Sequence, residues 1–217
     1  MTEARSSEIY DPDCTRCPRL ARFLAEIRHA NPSYWARPVP SFGAADPVIL
    51  IIGLAPGVHG ANRTGRPFTG DHAGILLYET LFELGLATRP VSISADDGLQ
   101  LVQTRIANAV KCVPPENKPQ PDEIRRCNGY LQAEVTRLSS VQVYVALGRI
   151  AHDALLAALA LKRGPFPFAH GREHALERAR VLIDSYHCSR YNTQTGRLTP
   201  AMFKLVMLRA RELARLP

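Results

Sequence analysis

The chain has 217 residues, 46% of them hydrophobic and 22% charged. That composition fits one globular domain, expected to span 1–217, and excludes wholesale disorder. No apolar run approaches the roughly 20 residues of a membrane span. The first 30 residues carry Glu3, Glu8, Asp11 and Asp13 and no apolar signal core, so a cytoplasmic protein is expected. Lys and Arg outnumber Asp and Glu 27 to 20, a net charge of +7. Such an excess favours a polyanionic partner, because neutralised phosphates release counterions. Arg outnumbers Lys 23 to 4, however, so a compositional bias is the competing explanation.

In chain order, Leu20, Phe23, Leu24 and Ile27 recur at helical spacing and predict a helix over 18–30. A Pro-rich stretch over 32–47 interrupts regular structure. The run 48–52, VILII, ending at Gly53, predicts a strand buried on both faces. A Gly- and Pro-rich loop to Asp71 leads into a helix over 73–84, stopped at Gly85. Further strands are expected at 105–110, 141–147 and 180–185, with helices at 122–138, 150–161 and 200–216. Pro121 suits a first helical turn, and Thr199-Pro200 reads as a cap followed by Pro. Strands alternating with helices predict an α/β domain with a central four-stranded parallel sheet flanked by helices. Ligands of such sheets sit beyond the carboxyl ends of the strands. Three strands run there into polar loops, at 53–71, 108–119 and 187–199.

Cys14 and Cys17 form C-x-x-C followed by Pro18, while Cys112 and Cys127 lie far along the chain. In a cytosolic protein such a set points to a metal rather than disulfides, and spacing alone leaves zinc, an iron–sulfur cluster and unrelated thiols open. Cys188, with no base to activate it, reads as a packing residue.

The first loop reads GLAPGVHGANRTGRPFTGD (53–71), the second NAVKCVPPENKP (108–119) and the third HCSRYNTQTGRLT (187–199). Together with C-x-x-C-P, these three motifs in this order resemble the uracil-DNA glycosylase superfamily, and within it the type B, or fifth, family of iron–sulfur enzymes. The resemblance covers nearly the whole chain. It implies a [4Fe–4S] cluster on Cys14, Cys17, Cys112 and Cys127, held by an N-terminal segment (1–46) packed on the glycosylase-like domain. It also implies a DNA partner, single- or double-stranded, engaged by a monomer.

The chemistry can be argued from residue types. A base must leave the duplex before its edge can be read. The amide of Asn108 matches O4 and N3–H of uracil and mismatches cytosine; hypoxanthine presents a similar pair. Outside the motif, Asn108 would read as a turn residue at a strand end. Phe68 matches the family's stacking aromatic, and otherwise reads as a loop Phe tucked into the core. His187 matches the histidine that donates to O2 of the leaving base. Backbone groups of Gly53, Leu54, Ala55, Pro56 and Gly57 are expected to line the pocket. Ser189 is expected at a phosphate, and Arg190, Tyr191, Arg197 or Leu198 as the wedge in the duplex. Lys111 and Lys118 read as phosphate contacts.

The chain departs from other branches where an acidic residue follows the first glycine: Leu54 and Ala55 are apolar. Asn62, Asp71 or His59 is left to orient water, in that order for the first two, or no residue does; Asp71 equally suits a helix cap. The expected activity is monofunctional hydrolysis of the N-glycosidic bond of uracil, and of hypoxanthine or xanthine if the pocket is wide. The alternative is a non-catalytic iron–sulfur protein of the same fold that binds DNA or RNA. A phosphate-ester hydrolase is disfavoured, because no Walker motif or Mg²⁺-binding carboxylate cluster is present.

Overall fold

The computed structural model describes residues 10–216. The segment ILIIG is buried at all five positions, as a strand covered on both faces requires. Before it, β1 (Phe42–Gly43) is a two-residue strand; the segment itself is β2 (Ile49–Gly53). β2 pairs in parallel with β3 (Thr104–Asn108) on one side and with β4 (Val143–Leu147) on the other. β6 (Val181–Ser185) continues the parallel array beyond β4.

The sheet is larger than the four parallel strands expected. β1 adds antiparallel to β3, and β5 (Glu173–Ala175) adds antiparallel to β6, giving a mixed sheet of six in the order β1-β3-β2-β4-β6-β5. These edges have no apolar run to betray them; in β5 only His174 is buried.

Side chains alternate across β2. Ile49 and Ile51 face α3 (His72–Glu83) and α7 (Pro200–Leu213), whose Leu77, Leu81, Phe203 and Met207 complete that core. Leu50 and Ile52 face α4 (Pro121–Arg137) and α5 (Arg149–Ala158) through Leu131, Val135 and Leu155. A third core forms where α1 (Pro18–Ala30) brings Leu20, Leu24 and Ile27 against Val110, Val113 and Tyr130. Two short helices, α2 (Ala61–Thr64) and α6 (Arg190–Gln194), sit inside loops expected to be irregular.

The caps follow the sequence. Asp71 accepts from the Gly74 N–H at 2.9 Å and starts α3, Pro121 opens α4, and Thr199 caps α7. Among the described residues no helix is long and apolar enough to cross a membrane.

Candidate active site

Because β2, β3 and β6 are parallel, the loops after them leave the same end of the sheet. Register places Gly53 beside Asn108, at the last residue of each strand. Asn108 is 3% exposed, and its Oδ1 is buried without a hydrogen-bond partner. A Cβ on Gly53 would stand 2.5 Å from that oxygen and 2.6 Å from Cζ of Phe68. Glycine is therefore what lets the amide and the ring close over the strand end. Phe68 is itself buried and holds a left-handed φ of 55°, an uncommon conformation for an aromatic residue. Its ring stacks on that of His187, with centroids 5.9 Å apart and planes 27° apart. Residues from three separated motifs thus form one run of contacts, Asn108 to Phe68 over Gly53 and Phe68 to His187.

The protein packed around His187 pulls its pKa down to about 4, since burial disfavours the charged ring. A neutral imidazole keeps one N–H to donate. The loop bearing it is held in place: Asn192 Nδ2 donates to the His187 carbonyl at 2.8 Å, and Ser189 caps α6. His72 Nε2 meets Thr193 Oγ1 at 3.1 Å, tying the first loop to the third.

The three candidates for orienting water differ in placement. Asn62 is fully buried in α2, with neither amide atom partnered, while its backbone bonds Gly57 and Ala36. His59 is exposed and meets the Tyr34 hydroxyl at 3.0 Å. Asp71 is half-buried: Oδ1 caps α3, while Oδ2 lies against the glycines of the first motif, 3.8 Å from a Cβ placed on Gly57. Burial raises its pKa, partly offset by the N–H groups of Gly74 and Ala73 and by the neighbouring His72. Asp71 and Gly57 line an open groove of about 1060 Å³ that continues to His59, Arg63 and Arg190.

Residues 40–211 match the family model of the uracil DNA glycosylase superfamily. Type-5 uracil-DNA glycosylases resemble the chain along almost its whole length. The one from Thermus thermophilus is 50% identical, over 93% of this chain and 94% of its own. The one from Pyrobaculum aerophilum is 41% identical, over 91% of this chain and 88% of its own. This chain belongs to the type-5 uracil-DNA glycosylases. A type-4 uracil-DNA glycosylase from Sulfurisphaera tokodaii is more distant, at 29% identity over 82% of this chain and 76% of its own.

Of the first-motif residues in this type-5 member, Gly57 lines the groove, while Leu54, Ala55 and Pro56 do not. The Gly53 and Leu54 carbonyls accept from Ala109 and Val110, and Ala55 packs into the third core. Arg190 and Tyr191 are exposed, Tyr191 at 71%, and Arg197 lies over the Tyr186 ring at 4.6 Å. Two expectations fail. Leu198 is fully buried in the first core, so it cannot reach a duplex. Lys111 is no phosphate contact either: its ammonium is buried against Ser41 (2.8 Å) and Glu134 (3.6 Å), because Glu134 lies on the inward face of α4. Lys118 is exposed.

Sequence reasoning missed Arg66, which lies in the first motif. It is buried, pairs with Asp97 at 2.7 Å and stacks over Phe42 at 4.7 Å, fastening the motif to the segment before β3. A charged residue inside a Gly-Pro loop was the available signal; its partner, 31 positions on in a polar loop, gave none.

Cys14, Cys17, Cys112 and Cys127 line a single cavity with Arg16, Arg126 and Tyr130, bringing together three separate parts of the chain. Burial and neighbouring sulfurs push the thiols of Cys17 and Cys112 up; burial also raises Cys127, against the pull of the Lys111 N–H 3.2 Å from its sulfur. A bound cation reverses that preference. The fifth cysteine, Cys188, is buried in the first core, as a packing residue would be.

Proposed function

We propose that the protein is a DNA repair glycosylase that extrudes uracil and hydrolyses its N-glycosidic bond, leaving an abasic site. The observation that carries this reading is the run of contacts from Asn108 to Phe68 over Gly53 and from Phe68 to His187, with a buried amide oxygen that lacks a partner.

Each residue has a distinct role. Phe68 offers a face on which the flipped base stacks, worth about 1–3 kcal/mol whatever the base edge. Asn108 Oδ1 accepts from N3–H, and its amide nitrogen donates to O4. Cytosine inverts both positions and leaves buried groups unpaired, at a cost of about 1–3 kcal/mol. As the bond to C1′ lengthens, negative charge gathers on the base, where the N–H of neutral His187 donates to O2. Asp71, through the oxygen not used as a cap, holds the water that attacks C1′ and takes its proton; the uracil anion picks up a proton from solvent as it leaves, and Asp71 returns its own to solvent. Asp71 displaces Asn62 in this role because Asn62 does not reach the groove. An acidic group at the first motif also favours catalysis over the alternative of a binder that has lost its water activator. Hypoxanthine and xanthine, which present a comparable donor and acceptor, belong to the proposed substrate range.

Of the lysines flanking the Asn108 loop, Lys111 is paired inside the protein and Lys118 lies beside Glu116 at the surface, so neither serves Schiff-base chemistry and the reaction stops at the abasic site. Cys14, Cys17, Cys112 and Cys127, which line one cavity, would hold a [4Fe–4S] cluster. The cluster supplies cross-links rather than electrons: breaking this bond involves no redox step. Ser189, Arg190, Tyr191 and Arg197 contact the DNA, which a monomer binds as single strand or duplex.

Oligonucleotides carrying one uracil or one hypoxanthine, incubated with the protein and then cleaved at abasic sites by alkali, test the reading. Strand scission is expected, with Asn108→Ala and His187→Ala each slowing base release by about 10²–10³ while DNA binding persists. Binding without scission would overturn it in favour of the non-catalytic alternative.

A further inference from the structure

Between α3 and β3 the chain forms a finger over 88–100, closed at its base by the bridge of Ala87 with Leu101 and by bonds between Thr88 and Gln100. The finger is rigidly built. The Asp97 carboxylate accepts from the N–H groups of Ile93, Ser94 and Leu99 and pairs with Arg66 of the first motif. Ser92 is buried; its hydroxyl meets Thr69 Oγ1 at 2.7 Å, and its carbonyl accepts from the Gly70 N–H. With Ser92 turned inward, its neighbours Val91 and Ile93 point out, at 58% and 66% exposure. Ile75, in the first turn of α3, is 63% exposed. All three line the same groove as Asp71, Arg63 and Arg190.

We propose that Val91 and Ile93 form an apolar wedge that packs into duplex DNA beside the extruded nucleotide. This rests on the glycosylase reading and adds a contact to it. Aliphatic side chains held out by such bonding gain nothing in water. Apolar side chains of this kind are what minor-groove binders press between base steps. The flanking Arg63 and Arg190 supply the charge for the phosphates on either side, in a chain of net charge +7. The finger is fastened directly to the motif that bears Phe68 and Asp71, so a wedge at its tip keeps a fixed distance from the flipped base.

The double variant Val91→Ser/Ile93→Ser tests this, since both side chains are exposed and their loss leaves the core intact; an unchanged thermal midpoint checks that. Two measurements are compared with the wild type: affinity for a duplex containing a tetrahydrofuran abasic analogue, and the ratio of kcat/KM for uracil in duplex over uracil in single strand. Affinity is expected to fall about 10–100-fold, at up to roughly tenfold per aliphatic contact, and the duplex preference to fall at least about tenfold. Unchanged affinity for the abasic duplex, or an equal loss on both strand forms, overturns the proposal. So does a wild-type dimer in sedimentation that the variant dissociates with its duplex affinity intact. The abasic-duplex arm needs no catalysis, so the wedge fails or stands there separately from the glycosylase reading.

Discussion

At the scale of single residues, two titrating groups of the first and third loops are moved in opposite directions by one cause. Burial drives His187 down to about 4 and Asp71 up, because each loses solvation in its charged form. The ordinary histidine pKa near 6.5 therefore has no place in the reaction: His187 is already neutral there. Asp71, needed as a carboxylate, is protonated as pH falls, at a higher pH than an ordinary aspartate. The single-turnover rate of uracil release is expected to be flat through pH 6.5 and to fall on the acid side. Asp71→Asn is expected to remove that acid limb and lower the plateau by about 10²–10⁴, the range of general base catalysis. An inflection near 6.5 that persists in Asp71→Asn would mean a solvated imidazole and would contradict the burial of His187. A wild-type limb that survives Asp71→Asn would give the water to another group.

At the scale of elements, the edge of the sheet beside His187 is fastened by a buried polar clasp. Asp184 on β6 accepts from His152 Nδ1 at 2.7 Å and meets His174 Nε2 of β5 at 3.1 Å. The other ring nitrogen of His152 faces the Phe166 carbonyl at 2.9 Å. Both partners of that ring are acceptors, so both nitrogens must donate and His152 is an imidazolium. Burial alone would lower its pKa, but the Asp184 hydrogen bond and charge outweigh it and hold it above the usual value. A raised folded pKa stabilises fully below the unfolded value near 6.5 and is lost as pH climbs through the folded one. The urea midpoint of the wild type should therefore decline on the alkaline side of neutrality. Asp184→Asn should cost about 3 kcal/mol near pH 6, as breaking a buried pair does, and should shrink as a penalty at high pH. A constant difference between the two proteins across pH 6–9 would show that His152 is neutral.

This clasp also marks where the sequence stops being readable. β2, β4 and β6 of the parallel core announce themselves as apolar runs, and Asn108, Phe68 and His187 stand in the three loop motifs. β5 is three residues with one inward side chain, and it forms because His174 finds Asp184, a pairing visible only once β6 is in place. Lys111 misled for the same reason: its type suggested phosphate, but Glu134 on α4 claims it. The sequence put Asn62 ahead of Asp71; the order is reversed in the proposal because Asn62 is fully buried while Asp71 lines the groove.

At the scale of the whole molecule, the sheet has two cores of its own, whereas α1 buries only Leu20, Leu24 and Ile27. One ion pair, Arg19 with Glu123 at 2.7 Å, adds to that attachment, and Arg19 is a third exposed, so its contribution is small. Cross-links from Cys14 and Cys17 to Cys112 and Cys127 would close loops of about 100 residues, worth roughly 4–5 kcal/mol on the chain-entropy estimate for a disulfide. The third core should thus depend on the cluster while the other two do not. Purified protein is expected to be brown, with about four iron and four sulfide per chain. Stripping the iron should expose residues before Phe42 to protease while a fragment carrying the sheet survives, and should slow uracil release, because Cys112 is four residues from Asn108. Colourless protein with one zinc per chain would overturn the cluster. Proteolysis that attacks the sheet and α1 together would mean the three cores melt as one unit.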